Sequence, residues 1–216
     1  MGIISRFPAG ATEPYIEETY DSDGNLIDVN LHGYTKIRDY AFSDCYNLSL
    51  TSLPDEIVSI GENAFRACFS LALTSLPAGI TSIGAGAFNG CESITLTSLP
   101  AGISSIENGT FPYCTHLALT NLPSGITRIG IEAFAECVNL ALTSIPAGVT
   151  DIHDSAFYGC TGLTELTFMG TPTSIGSNAF NGCENLTTIN VPWAEGAVAN
   201  APWGATNATI TYGYTG

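Results

Sequence analysis

The sequence predicts a β-rich repeat solenoid with little α-helix, and three periodic rows of residues carry this prediction. All seven cysteines recur at one interval of 23 residues, at Cys45, Cys68, Cys91, Cys114, Cys137, Cys160 and Cys183. A phenylalanine stands three residues before each cysteine, and an isoleucine stands eight residues before it. A unit of 23 residues is too short to bury an apolar face alone, so successive units must stack on one another.

Each unit contains two extended segments and two turns. The period-two pattern LALTSL over Leu71–Leu76 predicts a short strand. The following PAG predicts a turn, in which Pro77 ends the strand ladder and Gly79 is free to adopt positive φ. ITSIG, over 80–84, predicts a second extended segment, and AFNGC over Ala87–Cys91 predicts a tight turn, helical or 3₁₀.

The pattern I-G-x-x-A-F-x-x-C, followed by a leucine segment, resembles the BspA-like leucine-rich repeat family over roughly Thr35 to Asn190. The resemblance implies a right-handed leucine-rich repeat coil with a parallel sheet on one face and short turns or 3₁₀ elements elsewhere. It also implies a bacterial, or occasionally protist, surface protein that binds host or partner molecules. The carried-over motif residues are scaffold residues, and the family offers no catalytic set to transfer.

The chain divides into an N-terminal cap over 1–33, seven 23-residue repeats over 34–189, and a C-terminal cap over 190–216. In the N-terminal cap, extended residues flank Asp23-Gly24 and predict a β-hairpin. The alternative is a calcium loop, because Asp21, Asp23 and Asn25 match its acidic positions, although Gly24 comes one residue too early. In the C-terminal cap, Trp193 and Trp203 either cover the last coil or stack on a sugar.

Four substitutions interrupt the repeat and predict local irregularity. Glu107 and His153 replace the glycine of the I-G pair. Pro112 stands between the phenylalanine and the cysteine of its unit, and Pro172 replaces an isoleucine. Proline has no amide hydrogen, and a side chain at a glycine position needs additional room.

Packing explains the cysteine row better than chemistry does. Equivalent residues of stacked coils point the same way, so their Cβ vectors do not converge as a disulfide requires. A straight row cannot place four ligands around one zinc ion, and a nucleophile needs one thiol beside a base. We therefore expect seven free, protected thiols that fill the core and donate weakly to neighbouring carbonyls.

The charge balance excludes several classes of partner. The chain has 20 acidic and 5 basic residues, a net charge of −15, which disfavours nucleic acid and anionic membranes. No segment approaches the roughly 20 apolar residues of a membrane span, and the start MGIISRFPAG lacks the apolar run of a signal peptide.

The histidines His32, His116 and His153 occupy three different repeat positions and form no catalytic pattern. We therefore expect no enzyme, no cofactor and no metal.

The resemblance implies an extracellular or cell-surface protein, and we expect a monomeric, adhesion-like binding module that presents its strand face to a protein or glycan. The alternative is a structural or accessory piece of a larger assembly, such as a phage tail or a multidomain surface protein. The candidate binding residues form one row: Thr51, Thr74, Thr97, Thr120 and Thr143. Two registers are open for this row, because a one-residue slip exchanges the two faces of a strand. A local bulge that buries the preceding leucines and exposes the threonines is the favoured register.

Overall fold

The computed structural model describes residues 2–5 and 15–216, which form fourteen strands and no helix. Residues 1 and 6–14 of the predicted N-terminal cap lie outside the described residues. The strands, in chain order, are β1 Gly2–Ser5, β2 Tyr15–Tyr20, β3 Leu26–His32, β4 Lys36–Ile37, β5 Ser59–Ile60, β6 Ser82–Ile83, β7 Ser105–Ile106, β8 Arg128–Ile129, β9 Ser144–Ile145, β10 Asp151–Ile152, β11 Glu165–Phe168, β12 Ser174–Ile175, β13 Thr188–Val191 and β14 Thr209–Tyr212.

The predicted hairpin is present, because β2 and β3 pair antiparallel with β1 on the outer side of β2. The Asp21 carboxylate closes its turn by accepting hydrogen bonds from the backbone amides of Asp23 at 2.9 Å and Asn25 at 2.8 Å. The Asn25 side chain also donates to this carboxylate at 2.9 Å. These bonds, led by the Asn25 side chain, hold the pKa of Asp21 below its ordinary value. The aspartate of the calcium alternative therefore caps the hairpin turn.

The second extended segment of each repeat forms parallel ladders of two-residue strands. Their order is β4-β5-β6 in one sheet and β7-β8-β10-β12 in another. In each strand the isoleucine is buried and its neighbour faces outward, as the period of two requires. Equivalent residues pair directly across coils, for example Ile37 with Ile60 and Ile60 with Ile83.

The leucine segment is strand-like only towards the C-terminus. There β9, β11, β13 and β14 form a parallel sheet, with Leu166 opposite Ile189 and Ile189 opposite Ile210. The strand predicted over Leu71–Leu76 is wrong, since those residues form no ladder. Coil-to-coil hydrogen bonds persist there, such as the 2.9 Å bond from the Ala72 amide to the Leu50 carbonyl.

The AFxxC segments are tight turns, as predicted, but they are neither α-helical nor 3₁₀. Successive amides alternate: one donates to a carbonyl of its own coil, and the next donates to a carbonyl of the following coil. In the second coil the Arg66 amide donates to the Asn63 carbonyl at 3.2 Å, whereas the Phe65 amide donates to Ala87 of the following coil at 2.9 Å. This alternation places residues with positive φ on either side of the phenylalanine, here Asn63 at 50° and Ala67 at 57°.

The phenylalanine row forms the centre of the core. Rings of successive coils stack with centroids 5.1 to 5.6 Å apart, from Phe42 to Phe180. Trp203 continues this row 23 residues after Phe180, and its carbonyl accepts a 2.9 Å hydrogen bond from the Phe180 amide. Part of the predicted C-terminal cap therefore forms an eighth turn of the solenoid. Trp193, also buried, packs against Trp203 with ring centroids 6.3 Å apart.

Three of the four predicted irregularities are present. In other coils the amides of Asn89 and Val149 close a turn by donating to the carbonyl three residues earlier. Pro112 and Pro172 stand at the equivalent positions and have no amide hydrogen, so they cannot form this bond. At Glu107 the ladder is interrupted, because β6 and β7 are not paired. His153 leaves it intact, since its amide still donates to the Ile129 carbonyl at 2.9 Å.

Candidate functional site

The structure answers the register question for the predicted binding residues. Leu50, Leu73, Leu96, Leu119 and Leu142 are all buried, with exposed fractions between 0 and 7%. The five threonines that follow them, Thr51, Thr74, Thr97, Thr120 and Thr143, are all exposed. The favoured register is therefore the one adopted. In the sixth and seventh coils the buried residues are Leu166 and Ile189, which occupy the repeat position that the threonines hold in the earlier coils.

The residue after each threonine also faces solvent, which the strand-based prediction missed. Ser52, Ser75, Ser98 and Asn121 are exposed, and Ser144 is half-buried. In an alternating strand one of two neighbours must point inward, but these coils are not regular strands here. We refer to these five threonines and the residue after each as the threonine face. The signal in the sequence was the repeated pair Thr-Ser beside a leucine.

The threonine face is uncharged within a strongly acidic protein. The segments that carry it are 49–53, 72–76, 95–99, 118–122 and 141–145, and they contain no Asp, Glu, Lys or Arg. The chain as a whole has a net charge of −15. The charged residues therefore lie outside these five segments. At its N-terminal end lies a groove of about 610 Å³ between β3 and the first coil, lined by Asp28, Asn30 and Thr51 among others.

Most hydroxyl groups of this face are free, whereas several threonines elsewhere on the coils use theirs to bond the preceding coil. Thr81, Thr127 and Thr150 donate their hydroxyls to carbonyls of the preceding coil at 3.1 to 3.3 Å. On the threonine face only the Thr120 hydroxyl has a partner among the described residues, Asn121 at 3.0 Å. The hydroxyls of the other four threonines can therefore donate to and accept from a ligand.

A second polar cluster lies where Glu107, Arg128 and His153 interrupt the repeat. The Arg128 guanidinium donates to Glu107 at 3.1 Å, to the Asn108 side chain at 3.2 Å and to His153 Nε2 at 3.1 Å. Nearby, hydrogen bonds led by the one from Ser174 hold the pKa of Asp151 below its ordinary value. The cluster links three coils through one cation, and its members satisfy one another.

The cysteine row has the properties of packing, as predicted. All seven thiols are free; six are buried, and Cys45 in the first coil is half-buried. Burial raises the pKa of Cys68 and of Cys183 to about 12. A thiol with such a pKa is almost entirely protonated at neutral pH, so it is a poor nucleophile.

Within residues 2–5 and 15–216, no three or more His, Cys, Asp or Glu side chains are arranged to hold a metal ion. The same part of the chain has no helical segment with the length and apolar character of a membrane span.

Comparison with known proteins identifies the family. The model of the BspA-type leucine-rich repeat region matches residues 35–160 and 127–197, with six copies. A T. pallidum leucine-rich repeat protein of known structure is 28% identical; the match covers 83% of this chain and 90% of that one, with a TM-score of 0.64. A leucine-rich cell surface protein from Faecalibacterium prausnitzii is 22% identical over 87% of this chain and 70% of its own, with a TM-score of 0.51. No curated protein matches the sequence. Because the family model spans well over half of the residues, the chain belongs to the BspA-type leucine-rich repeat family.

Proposed function

We propose that this chain is a surface-displayed binding module and that the threonine face contacts a polar, uncharged ligand such as a neutral glycan. The observation that carries the proposal is the contrast in hydroxyl use between the two sets of threonines. Thr81, Thr127 and Thr150, outside the face, donate their hydroxyls to carbonyls of the preceding coil, whereas four of the five threonines on the face are free. Free hydroxyls on a rigid frame can bond a polyol ligand with little loss of conformational entropy.

The absence of charge on the face supports an uncharged ligand. Desolvating a carboxylate or ammonium on binding costs more than desolvating a hydroxyl, and an exposed charge would select a charged partner. The five segments of the face contain no charged residue. One coil contributes two adjacent polar side chains, and the coils repeat at about the 4.8 Å spacing of stacked strands. A polymer lying along the solenoid axis can therefore meet the same contact several times.

Family and neighbours support a surface location. BspA-type repeats are the family of this chain, and the similar F. prausnitzii protein is described as a cell surface protein. We infer a role in binding and not in catalysis, because the buried thiols have raised pKa values and the histidines lie apart in the repeat.

The test is binding of the isolated chain to an immobilised panel of neutral polysaccharides, such as mannan, β-glucan, xylan and chitin. We expect at least one to be retained, and Thr97→Asp to weaken that binding by tenfold or more. Thr173→Asp is the matched control, since Thr173 is also exposed and makes no side-chain hydrogen bond, but lies outside the face.

Two results would count against the proposal. Equal loss of binding in Thr97→Asp and Thr173→Asp would place the contact elsewhere. A chain that binds no member of the panel and associates end to end in sedimentation would support the alternative role, a structural piece of a larger assembly.

A further inference from the structure

A second groove runs along the short strands β4 to β7, away from the threonine face. Its first part has a volume of about 510 Å³, and its lining includes Lys36, Arg38, Asp39, Ser59 and Ser82. A second part of about 420 Å³ shares Ser82 with the first and extends to Ser105. The two parts form one continuous path across the first four coils.

The first part of this groove holds two cations that make no ion pair among the described residues, although Asp39 also lines it. Lys36 and Arg38 flank the buried Ile37 and therefore project to the same side of the strand. Arg66 and Arg128, the other basic residues of the described chain, are ion-paired at 3.4 and 3.1 Å. Neither Lys36 nor Arg38 has an ion pair or a side-chain hydrogen bond among the described residues.

Further along, the groove offers hydroxyl and backbone groups that are also free. The hydroxyls of Ser59 and Ser82 make no hydrogen bond in the described part of the chain. The groove then crosses the gap between β6 and β7, where the ladder is not formed. Neighbouring coils have a bond from the Gly84 amide to the Ile60 carbonyl at 2.9 Å. The matching bond from Glu107 to Ile83 is missing here, so that amide and that carbonyl are available to a ligand.

Acidic residues line both parts of the groove and limit the charge of any ligand. Asp39, Glu62 and Glu107 all line it. The Asp39 carboxylate accepts from the Glu62 amide at 2.8 Å, and Glu107 is paired with Arg128 at 3.1 Å, so both carboxylates are held in place. A second anionic group beyond the two cations would meet these carboxylates, and the net charge of −15 further disfavours polyanions.

We propose that this groove binds an oligosaccharide that carries a single terminal acidic group, with that group between Lys36 and Arg38. The guanidinium fork and the ammonium suit a carboxylate or a sulfate ester. The neutral sugars then lie over Ser59 and Ser82 and reach the free backbone groups at the ladder gap. Hydroxyl and backbone donors match sugar hydroxyls better than the apolar side chains of an acidic peptide. This site is separate from the threonine face.

The experiment titrates the intact chain with sialyllactose, which has one carboxylate on a neutral disaccharide, and with lactose as the uncharged control. Calorimetry or NMR is expected to show binding of sialyllactose and at least tenfold weaker binding of lactose. Lys36→Gln combined with Arg38→Gln should weaken sialyllactose binding tenfold or more. Arg66→Gln, which removes an ion-paired cation outside the groove, should change it less than twofold. Sulfated lactose distinguishes the two acid groups, and its binding in place of sialyllactose would assign the sulfate ester.

Several results would overturn the proposal: no binding of either acidic sugar, equal binding of lactose, or equal competition by a short glutamate peptide. The methyl ester of sialyllactose provides a test that needs no variant, because it should lose the binding even if the double variant does not fold. Thr97→Asp should leave sialyllactose binding unchanged, so failure of the threonine face and failure of this groove can be told apart.

Discussion

At the residue scale, the cysteine thiol is one of the groups that join a coil to the one before it. The Sγ atom of Cys68 donates to the Phe42 carbonyl at 3.0 Å, and that of Cys114 donates to Phe88 at 3.1 Å. The same bond recurs at every buried cysteine of the row. The thiol can form this bond only while protonated, so the core depends on the protonation state of the row.

Alkaline pH should therefore destabilise the protein. Burial raises the pKa of all six buried thiols, to about 12 at Cys68 and Cys183. The unfolded chain loses its thiol protons near pH 8.5 while the folded chain retains them, so the free energy of unfolding falls as pH rises from about 8.5 to 12. Each thiol contributes up to about 1.4 kcal/mol per pH unit. Urea titrations across this range should show the fall, and Cys91→Ala should lessen its slope by about one proton. A flat profile would contradict the burial of the row.

The turns offer a second test at single positions. Ala67 has φ of 57°, and its equivalent one coil later is Gly90 with φ of 76°. A Cβ on Gly90 would make only ordinary contacts, the nearest at 3.5 Å, so backbone conformation alone decides the effect. Ala67→Gly should raise the free energy of unfolding by about 0.5–1 kcal/mol, and Gly90→Ala should lower it by about as much. Chemical denaturation measures both changes. Opposite signs would show that packing outweighs φ at these sites.

At the element scale, the two extended segments of the repeat behave differently. The isoleucine segment forms parallel ladders in nearly every coil, whereas the leucine segment forms them only from β9 onward. In the last coils Leu166 and Ile189 have the spacing of an alternating strand. In the earlier coils the buried leucine comes one residue sooner, and the segment there is not a regular strand.

Neighbouring residues of one coil test this arrangement of buried leucine and exposed threonine. Leu96 is fully buried and Thr97 is exposed, so the same substitution should have very different effects. Leu96→Asp should lower the free energy of unfolding by about 3–5 kcal/mol or more, because it removes packing and buries a carboxylate. Thr97→Asp should change it by less than about 0.5 kcal/mol. Thermal or chemical unfolding of the two variants measures the difference. Similar losses in both would mean that the threonine is part of the core.

Sequence reasoning was most reliable where a residue type repeats without exception. The rows of phenylalanine, cysteine and isoleucine predicted the core, because an apolar residue in every coil has neighbours of its own kind above and below. It failed for the strand over Leu71–Leu76, since alternation of residue types does not tell which backbone groups pair. For the same reason it could not decide whether the threonines point inward or outward. The free hydroxyls and the gap at Glu107 depend on partners in other coils, which a single unit does not reveal.

At the scale of the whole molecule, the solenoid is one continuous apolar column closed by different structures at its two ends. A hairpin precedes the first coil, and at the other end Trp203 follows Phe180 in the aromatic row. The interval of 23 residues between these two aromatics was readable in the sequence, but the change of residue type hid it. The predicted boundaries at 33 and 189 stay a prediction.

Removing residues 190–216 should expose the end of this column. Phe180 would lose the Trp203 carbonyl that its amide bonds at 2.9 Å, and β13 would lose β14 as its outer neighbour. An uncovered strand edge beside an apolar end promotes aggregation and reduces cooperativity. We expect the truncated chain to aggregate or to unfold over a broader temperature range, as light scattering and calorimetry would measure. A soluble truncation with an unchanged melting curve would show that the segment is an appendage.

The most direct test of the binding account is methyl NMR on threonine-labelled protein, with and without the neutral polysaccharide retained on the panel. The labelled methyls sample both sets of threonines at once. The account predicts that the signals of Thr74, Thr97 and Thr120, on the threonine face, shift or broaden together on addition of the polysaccharide. Those of Thr81, Thr127 and Thr150, whose hydroxyls donate to carbonyls of the preceding coil, should stay in place. Shifts confined to the second set, or spread equally over both, would contradict the assignment of the binding surface.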